Sequence, residues 1–178
     1  MVELANKNVQ KLTSLVNDLL DFTKLEKGQL VLRKSIFTLS DLLNSCCETM
    51  RIDGFIVKID GDINIKVSAD YLKIEQVVTN LLNNCIKYAS QTKEIIIHCE
   101  RTPDSVKVSV EDFGPGIPKE KLSHLFAIYY RADNKGQQYS GLGLGLYICS
   151  RIIADHDGRI GVESELGKGT SFWFTIPC

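Results

Sequence analysis

Asn80-Leu-Leu-Asn-Asn84-Cys-Ile-Lys87-Tyr88 sets a row of polar groups into an otherwise apolar helical pattern. Steps of four along a helix put Asn80, Asn84 and Tyr88 on one face, with Lys87 beside them. Asn84 can give an amide oxygen to a hard cation, Lys87 can meet a phosphate as a point charge, and Tyr88 can lie against a base. The row suits a magnesium nucleotide, and it also fits a helix whose polar side is simply solvated.

Working outward, Asp70 is a plausible N-cap for this helix, which is expected to run to about Ala89 with Leu72, Val77, Leu81, Leu82 and Ile86 as its apolar face. Before it, Ile56 to Ile59 and Ile63 to Val67 read as a hairpin around Asp60-Gly61, and Thr38 or Ser40 caps a helix through about Met50. Residues 1 to about 27 contain no Pro or Gly and space Leu12, Leu15, Leu19 and Phe22 as a heptad seam, widened by Val16 and Leu20. This predicts a long amphipathic helix that packs against a partner. After the polar row, strands are expected over Glu94 to Arg101 and Val106 to Glu111, then a short helix over Lys119 to Phe126. A Gly-punctuated helix start and two last strands, Arg159 to Glu165 and Ser171 to Ile176, complete the order. Irregular alternation of this kind argues for α/β (α+β) architecture, a two-layer sandwich of a mixed, mainly antiparallel sheet and helices.

Two further segments carry chemistry. Asp112-Phe-Gly114-Pro-Gly116-Ile117 closes a strand with a carboxylate in a sharp turn, suited to accepting a hydrogen bond from an exocyclic amine and so to adenine over guanine, or simply to stabilising the turn. The tripeptide at 112–114 also spells the metal-binding motif of protein kinases, but no H-R-D catalytic loop accompanies it. Gly141-Leu-Gly143-Leu-Gly145-Leu146 opens a helix whose first amides can hold phosphates. The preceding segment is polar rather than a strand, which argues against a dinucleotide fold. That segment, Arg131 to Ser140, reads as a lid beside a site, and Gly167-Lys-Gly169-Thr170 reads as a turn between the last strands.

With 21 Lys and Arg against 22 Asp and Glu, the formal net charge is -1, so no overall basic field points to nucleic acid or an anionic membrane. No apolar run approaches the roughly 18 residues of a membrane span, and the start lacks the pattern of a secretory signal, which reads as a cytoplasmic chain. The six cysteines form no C-x-x-C pair and sit mostly among apolar neighbours, as small hydrophobes do in a reducing compartment.

In this order the segments resemble the four boxes of the GHKL superfamily of ATP-binding domains, named for gyrase, Hsp90 chaperones, histidine kinases and MutL proteins, over about residues 36 to 177. Within it the chain is most similar to sensor histidine kinases of two-component systems, which carry Asn at the position of Asn80 where the ATPases place a catalytic Glu. Leu19-Leu-Asp-Phe-Thr-Lys-Leu-Glu-Lys-Gly28 resembles the second helix of that family's dimerisation and phosphotransfer domain with its exit linker. The resemblance implies a partial dimerisation helix and linker over 1–30 and an ATP-binding catalytic domain of Bergerat-type fold over 31–178.

Carried over by position, it implies Asn80, Lys87 and Arg131 as catalytic residues and Asn84 as the magnesium ligand. ATP or ADP would be held by Asn80, Asn84, Lys87, Tyr88, Asp112, Gly114, Gly116, Ile117, Tyr130, Arg131, Gly141, Leu142, Gly143, Leu144, Gly145, Leu146 and Thr170. The implied function is supply of the ATP γ-phosphoryl to a histidine, for relay to a response regulator receiver domain, within a homodimer of the full-length protein. Three positions depart mildly from the pattern: Tyr129, where the family usually has Phe; Cys85, usually Ala; and His156-Asp-Gly158, usually His-Gly-Gly. No phosphoacceptor box is found, and the three histidines, His98, His124 and His156, fall in a strand, a short helix and a helix end, as structural or surface residues. The alternatives are a GHKL-type ATPase, which Asn80 disfavours because no carboxylate stands there to activate water, and a degenerate nucleotide-binding module.

Overall fold

The computed structural model describes residues 2–28, 30–52, 54–88, 92–130 and 142–178. In chain order the elements are α1 (Val2–Glu26), β1 (Ser35–Thr38), α2 (Leu39–Ile52), β2 (Ile56–Gly61), β3 (Lys66–Ala69), α3 (Tyr71–Tyr88), β4 (Glu94–Arg101) and β5 (Ser105–Asp112). There follow α4 (Lys119–Leu122), α5 (Gly145–Asp155), β6 (Arg159–Glu165) and β7 (Gly169–Pro177).

Five strands form one sheet in the order β2-β4-β5-β7-β6, and β1 pairs with β3 in a second, two-stranded sheet. In the large sheet β2 runs parallel to β4 and every other pairing is antiparallel. Alternate residues of its central strands turn inward and are buried: Ile95, Ile97 and Cys99 in β4, Val106, Val108 and Val110 in β5, and Phe172, Phe174 and Ile176 in β7. They meet one apolar stripe from each of three helices, including Leu42 and Leu43 of α2, Val78, Leu81 and Leu82 of α3, and Ile148 and Ile152 of α5. Five of the six cysteines are buried, and all six are free thiols.

The hairpin expected around Asp60-Gly61 does not form. β2 instead pairs with β4, starting at Ile56 opposite Glu94, and β3 pairs with β1. Gly61 is required for a different reason: its φ is +89°, and a Cβ there would stand 2.1 Å from the Cys99 carbonyl oxygen of β4. Leu72 is corrected too. It is 70% exposed, while Ile74 takes its place among the buried residues of α3. The short helix is only α4, because beyond Leu122 the chain continues in turns with i to i+3 hydrogen bonds such as Ala127 N–H to His124 O, 2.9 Å.

Asp70 caps α3 as its sequence position predicts, its Oδ1 accepting from Lys73 N–H at 3.2 Å. It also ties three segments together. Its Oδ2 accepts from Arg33 N–H at 2.8 Å, and its own N–H donates to Nε2 of His156 at 3.0 Å. Nε2 is thus the acceptor, so Nδ1 carries the ring proton and donates it to Ile152 O at 2.7 Å. His156 is 2% exposed and is a structural clasp between α3 and α5. Replacing it with Leu strands the buried Asp70 N–H, and denaturant unfolding of His156→Leu is expected to reveal a loss of about 2 kcal/mol.

Candidate functional site

Asp112 ends β5 on the buried side of the sheet, 3% exposed, opposite Thr170 of β7 and Ile95 of β4. Its Oδ1 accepts from Gly114 N–H at 2.9 Å. Burial pushes the carboxyl above its ordinary range, and the Gly114 hydrogen bond, with Cys85 of α3 and Thr170 of β7 nearby, opposes that rise. A carboxylate offers about four acceptor positions, so a ligand can share it with Gly114. Burial likewise raises the Cys85 thiol well above its ordinary value, with the Asp112 charge adding to the effect, so Cys85 stays a donor.

The turn after Asp112 is shaped by contact with the β6–β7 connection. Gly116 has a φ of +73°, and a Cβ on it would lie 2.2 Å from Glu165 O, so at this position the glycine serves backbone against backbone. Pro115 O accepts from Gly167 N–H, and half-buried Ile117 donates its N–H to Ser164 Oγ, both at 2.8 Å. Ser164 Oγ in turn donates to Gly169 O at 2.8 Å and lies 2.9 Å from Thr170 Oγ1. Ser164 and Cys85 are the site residues that sequence reading missed. A serine in an exposed-looking strand gives no signal, and the apolar neighbours of Cys85 concealed its polar partner.

On α3, Asn80, Asn84 and Lys87 are half-buried and Tyr88 is exposed. Asn80 Nδ2 donates to Cys149 Sγ of α5 at 3.6 Å, and Gly145 at the start of α5 lies beside the same amide. Gly143 approaches the backbone of Tyr129 and half-buried Tyr130, so the end of the 119–130 segment is seated against the approach to α5. Leu142 is exposed and Leu146 half-buried. Leu144 is 1% exposed with its side chain in the core, so only its backbone faces any ligand there. Arg131, Gly141 and the expected lid between them lie outside the described residues. Gly114, Gly116, Ile117, Asp112 and Thr170 therefore form one group, Asn80, Gly145 and their neighbours a second, and Cys85 on α3 links the two.

α1 packs against α3, α5 and the end of the 119–130 segment. Asp21 meets Lys73 Nζ at 3.1 Å and Gln76 Nε2 at 2.8 Å on α3. Phe22 sits 6.1 Å from the Tyr129 ring and 5.9 Å from that of Tyr147, whose hydroxyl donates to Glu26 at 3.1 Å. A groove of about 560 Å³ between α1 and α3 is lined by Asn17, Leu20, Asp21, Lys24 and, from α3, residues including Gln76, Thr79, Asn80 and Asn83. Among the described residues no cluster of three His, Cys, Asp or Glu is placed to hold a metal, and no helix is long and apolar enough to cross a membrane.

This arrangement of a mixed sheet, a polar helix row and a buried carboxylate at a strand end is that of an ATP-binding domain. Residues 69–178 match the family of histidine kinase-, DNA gyrase B- and HSP90-like ATPases, and the chain belongs to it. Within that family it is a histidine kinase catalytic domain. The catalytic domain of the histidine kinase ThkA is 32% identical, with TM-score 0.69 over 82% of this chain and 95% of that one. ThkA solved with its response regulator protein TrrA gives TM-score 0.77 at 28% identity over 99% of this chain and 50% of that one. Full-length ShkA in complex with AMPPNP gives 0.81 at 27% identity over 99% of this chain and 38% of that one. The adaptive-response sensory kinase SasA of Synechococcus sp. (strain JA-3-3Ab) is 37% identical over 99% of this chain and 48% of its own length. The chain thus spans about half, or less, of the curated relatives it matches.

The raised carboxyl of Asp112 has a signed consequence. Between its ordinary value and the raised one, the folded protein holds a proton that the unfolded chain has released, so stability falls as pH rises through that window. Asp112→Asn removes this dependence. Unfolding free energies measured from about pH 4 upward are expected to show the variant gaining on the wild type as pH rises, then a constant difference; a difference flat throughout would contradict the assignment.

Proposed function

We propose that this ATP-binding catalytic domain presents magnesium ATP to a histidine carried on a dimerisation helix, for relay to the aspartate of a response regulator receiver domain. The observation that carries the reading is the Asp112 carboxylate, 3% exposed at the end of β5, with Gly114 N–H on Oδ1 and acceptor positions left for a ligand. An ionised carboxylate can accept from the adenine amine but not pair with the carbonyl that guanine offers at that edge.

In this reading Gly114, Gly116, Ile117 and Thr170 frame the base with Asp112, and Tyr88 packs beside it. Tyr130, Leu142, Leu146 and the amides of Gly141, Gly143, Leu144 and Gly145 border the phosphate chain, where a helix start favours negative charge. Asn84 would hold magnesium: its amide oxygen is a hard neutral donor, suited to an ion that keeps water and phosphate as its remaining ligands. Bound there, magnesium would neutralise charge on the phosphate oxygens. Lys87 and Arg131 add fixed positive charge at the transferring group, and Asn80 steadies the metal and its water. Asn80 also argues against an ATPase, since an amide that donates to Cys149 removes no proton from water.

The 1–30 segment reads as the second dimerisation helix and exit linker, and 31–178 as the catalytic domain. Exposed Leu12, Val16 and Leu19 on α1 suit a bundle with the histidine-bearing helix and, in the full-length protein, with a second copy. A nucleotide substrate and five buried free thiols fit a cytoplasmic location. ShkA with bound AMPPNP and ThkA with bound TrrA support the ligand and the partner class.

Calorimetry is expected to show ATP bound more tightly than GTP, with Asp112→Asn weakening ATP by about tenfold to a hundredfold, the equivalent of roughly 1.5–3 kcal/mol. Equal affinity for both nucleotides in the wild type would overturn the adenine assignment. The isolated chain is expected not to label itself, whereas an added histidine-bearing helix should acquire acid-labile phosphate. That transfer should fall about a hundredfold in Asn84→Ala, and be lost in Leu12→Asp/Leu19→Asp without loss of ATP binding. Stable histidine phosphate on the isolated chain would sink this reading.

A further inference from the structure

We propose that Ser164 is a positioning residue for base selection: it takes the hydroxyl proton of Thr170, so that Thr170 offers the base only oxygen lone pairs. The inference rests on the proposed adenine-binding role of Asp112 and Thr170. Strand register sets the three residues in one row. Asp112 of β5 stands opposite Thr170 of β7, and Thr170 stands opposite Ser164 of β6. Residues directly opposed on neighbouring strands share a face of the sheet and lie close enough for their side chains to meet. The face here is the inner one, where Asp112 is 3% exposed and Thr170 6%.

The polarity of the row follows from its protons. Ser164 Oγ accepts from Ile117 N–H and donates to Gly169 O, both at 2.8 Å. A hydroxyl carries one proton, and a carbonyl oxygen has none to give, so the Ser164 proton belongs to Gly169 O. The remaining contact of Ser164, 2.9 Å to Thr170 Oγ1, must then use the Thr170 proton. The Thr170 oxygen keeps its two lone pairs, and an ionised Asp112 beside it likewise only accepts. Adenine presents an amine with two N–H groups, which two neighbouring acceptors can share; guanine presents a carbonyl there, whose lone pairs meet those of both side chains. A threonine hydroxyl free to rotate would answer either base, because it donates as readily as it accepts. Ser164 removes that freedom from the next strand.

The test compares magnesium ATP and magnesium GTP affinities by calorimetry for the full chain, Ser164→Ala, Ser164→Thr, Thr170→Val, the Ser164→Ala/Thr170→Val double variant and Asp112→Asn. Ser164→Ala is expected to reduce the ATP-to-GTP affinity ratio about three- to tenfold, because Thr170 regains a proton it can turn to guanine. Ser164→Thr, which keeps the hydroxyl, should stay within about twofold of the wild type. On the Thr170→Val background no hydroxyl is left to orient, so adding Ser164→Ala should leave the ratio where Thr170→Val alone puts it. A role confined to supporting Ile117 and Gly169 would weaken both nucleotides together and leave the ratio alone. An unchanged ratio in Ser164→Ala, or the same further loss on the Thr170→Val background, would overturn the role of Ser164, while a weakened Asp112→Asn keeps the adenine reading. An Asp112→Asn variant that binds ATP as the wild type does would overturn both.

Discussion

A carboxylate buried at the end of a central strand is the constraint on which this site depends. Asp112 must be surrounded by donors, because an unpaired buried charge costs several kcal/mol. Gly114 N–H in the following turn meets its Oδ1 at 2.9 Å, and Cys85 of α3 and Thr170 of β7 ease its charge from nearby. The carboxylate thus lies where α3, β7 and the sharp turn after residue 112 come together. The same packing sets the polar row of α3 near the start of α5, where Asn80 meets Cys149. In the proposed reading, a binding element and a folding constraint are the same group of atoms.

The second organising contact is smaller and sits at the opposite end of α3. Asp70 caps the helix, takes the Arg33 amide and donates to His156, so the segment before β1, α3 and α5 share one polar knot. With Asp112 and Cys85 near the C-terminal part of α3 and Asp70 at its start, the helix is pinned at both ends. Its polar row is held between two satisfied networks rather than on a free surface, which is the kind of rigidity a precise metal and phosphate geometry needs.

Most of this was legible from local pattern. Period-two alternation located β4, β5 and β6 to within a residue, the Asp70 cap located α3, and the polar row stood out because it breaks an apolar helix. What failed was pairing. Asp60-Gly61 carries the composition of a hairpin turn, but Gly61 is needed for close approach to Cys99, a partner about forty residues away that local pattern cannot see. Leu72 failed for a similar reason: it lies one step off the stripe that α3 buries, and the choice of stripe depends on α2 and α5. Cys85 and Ser164 were invisible because a small polar group announces itself only through its partner.

The way α1 meets the rest of the chain bears on how a kinase of this design can work. Among the described residues its contacts with α3, α5 and the 119–130 segment include an ion pair with side chains about one-fifth exposed, two further hydrogen bonds and two tilted aromatic pairs. Contacts of these kinds contribute about 1 kcal/mol each. Leu25, 6% exposed, and Phe22 add the C-terminal end of α1 to the apolar core that joins α2, α3 and α5 to the sheet. α1 is thus anchored on the domain at its C-terminal end, while Leu12, Val16 and Leu19 earlier in the helix stay exposed. In the proposed function that contrast would let one end of the helix stay with the ATP-binding domain while its exposed stripe meets the histidine-bearing helix.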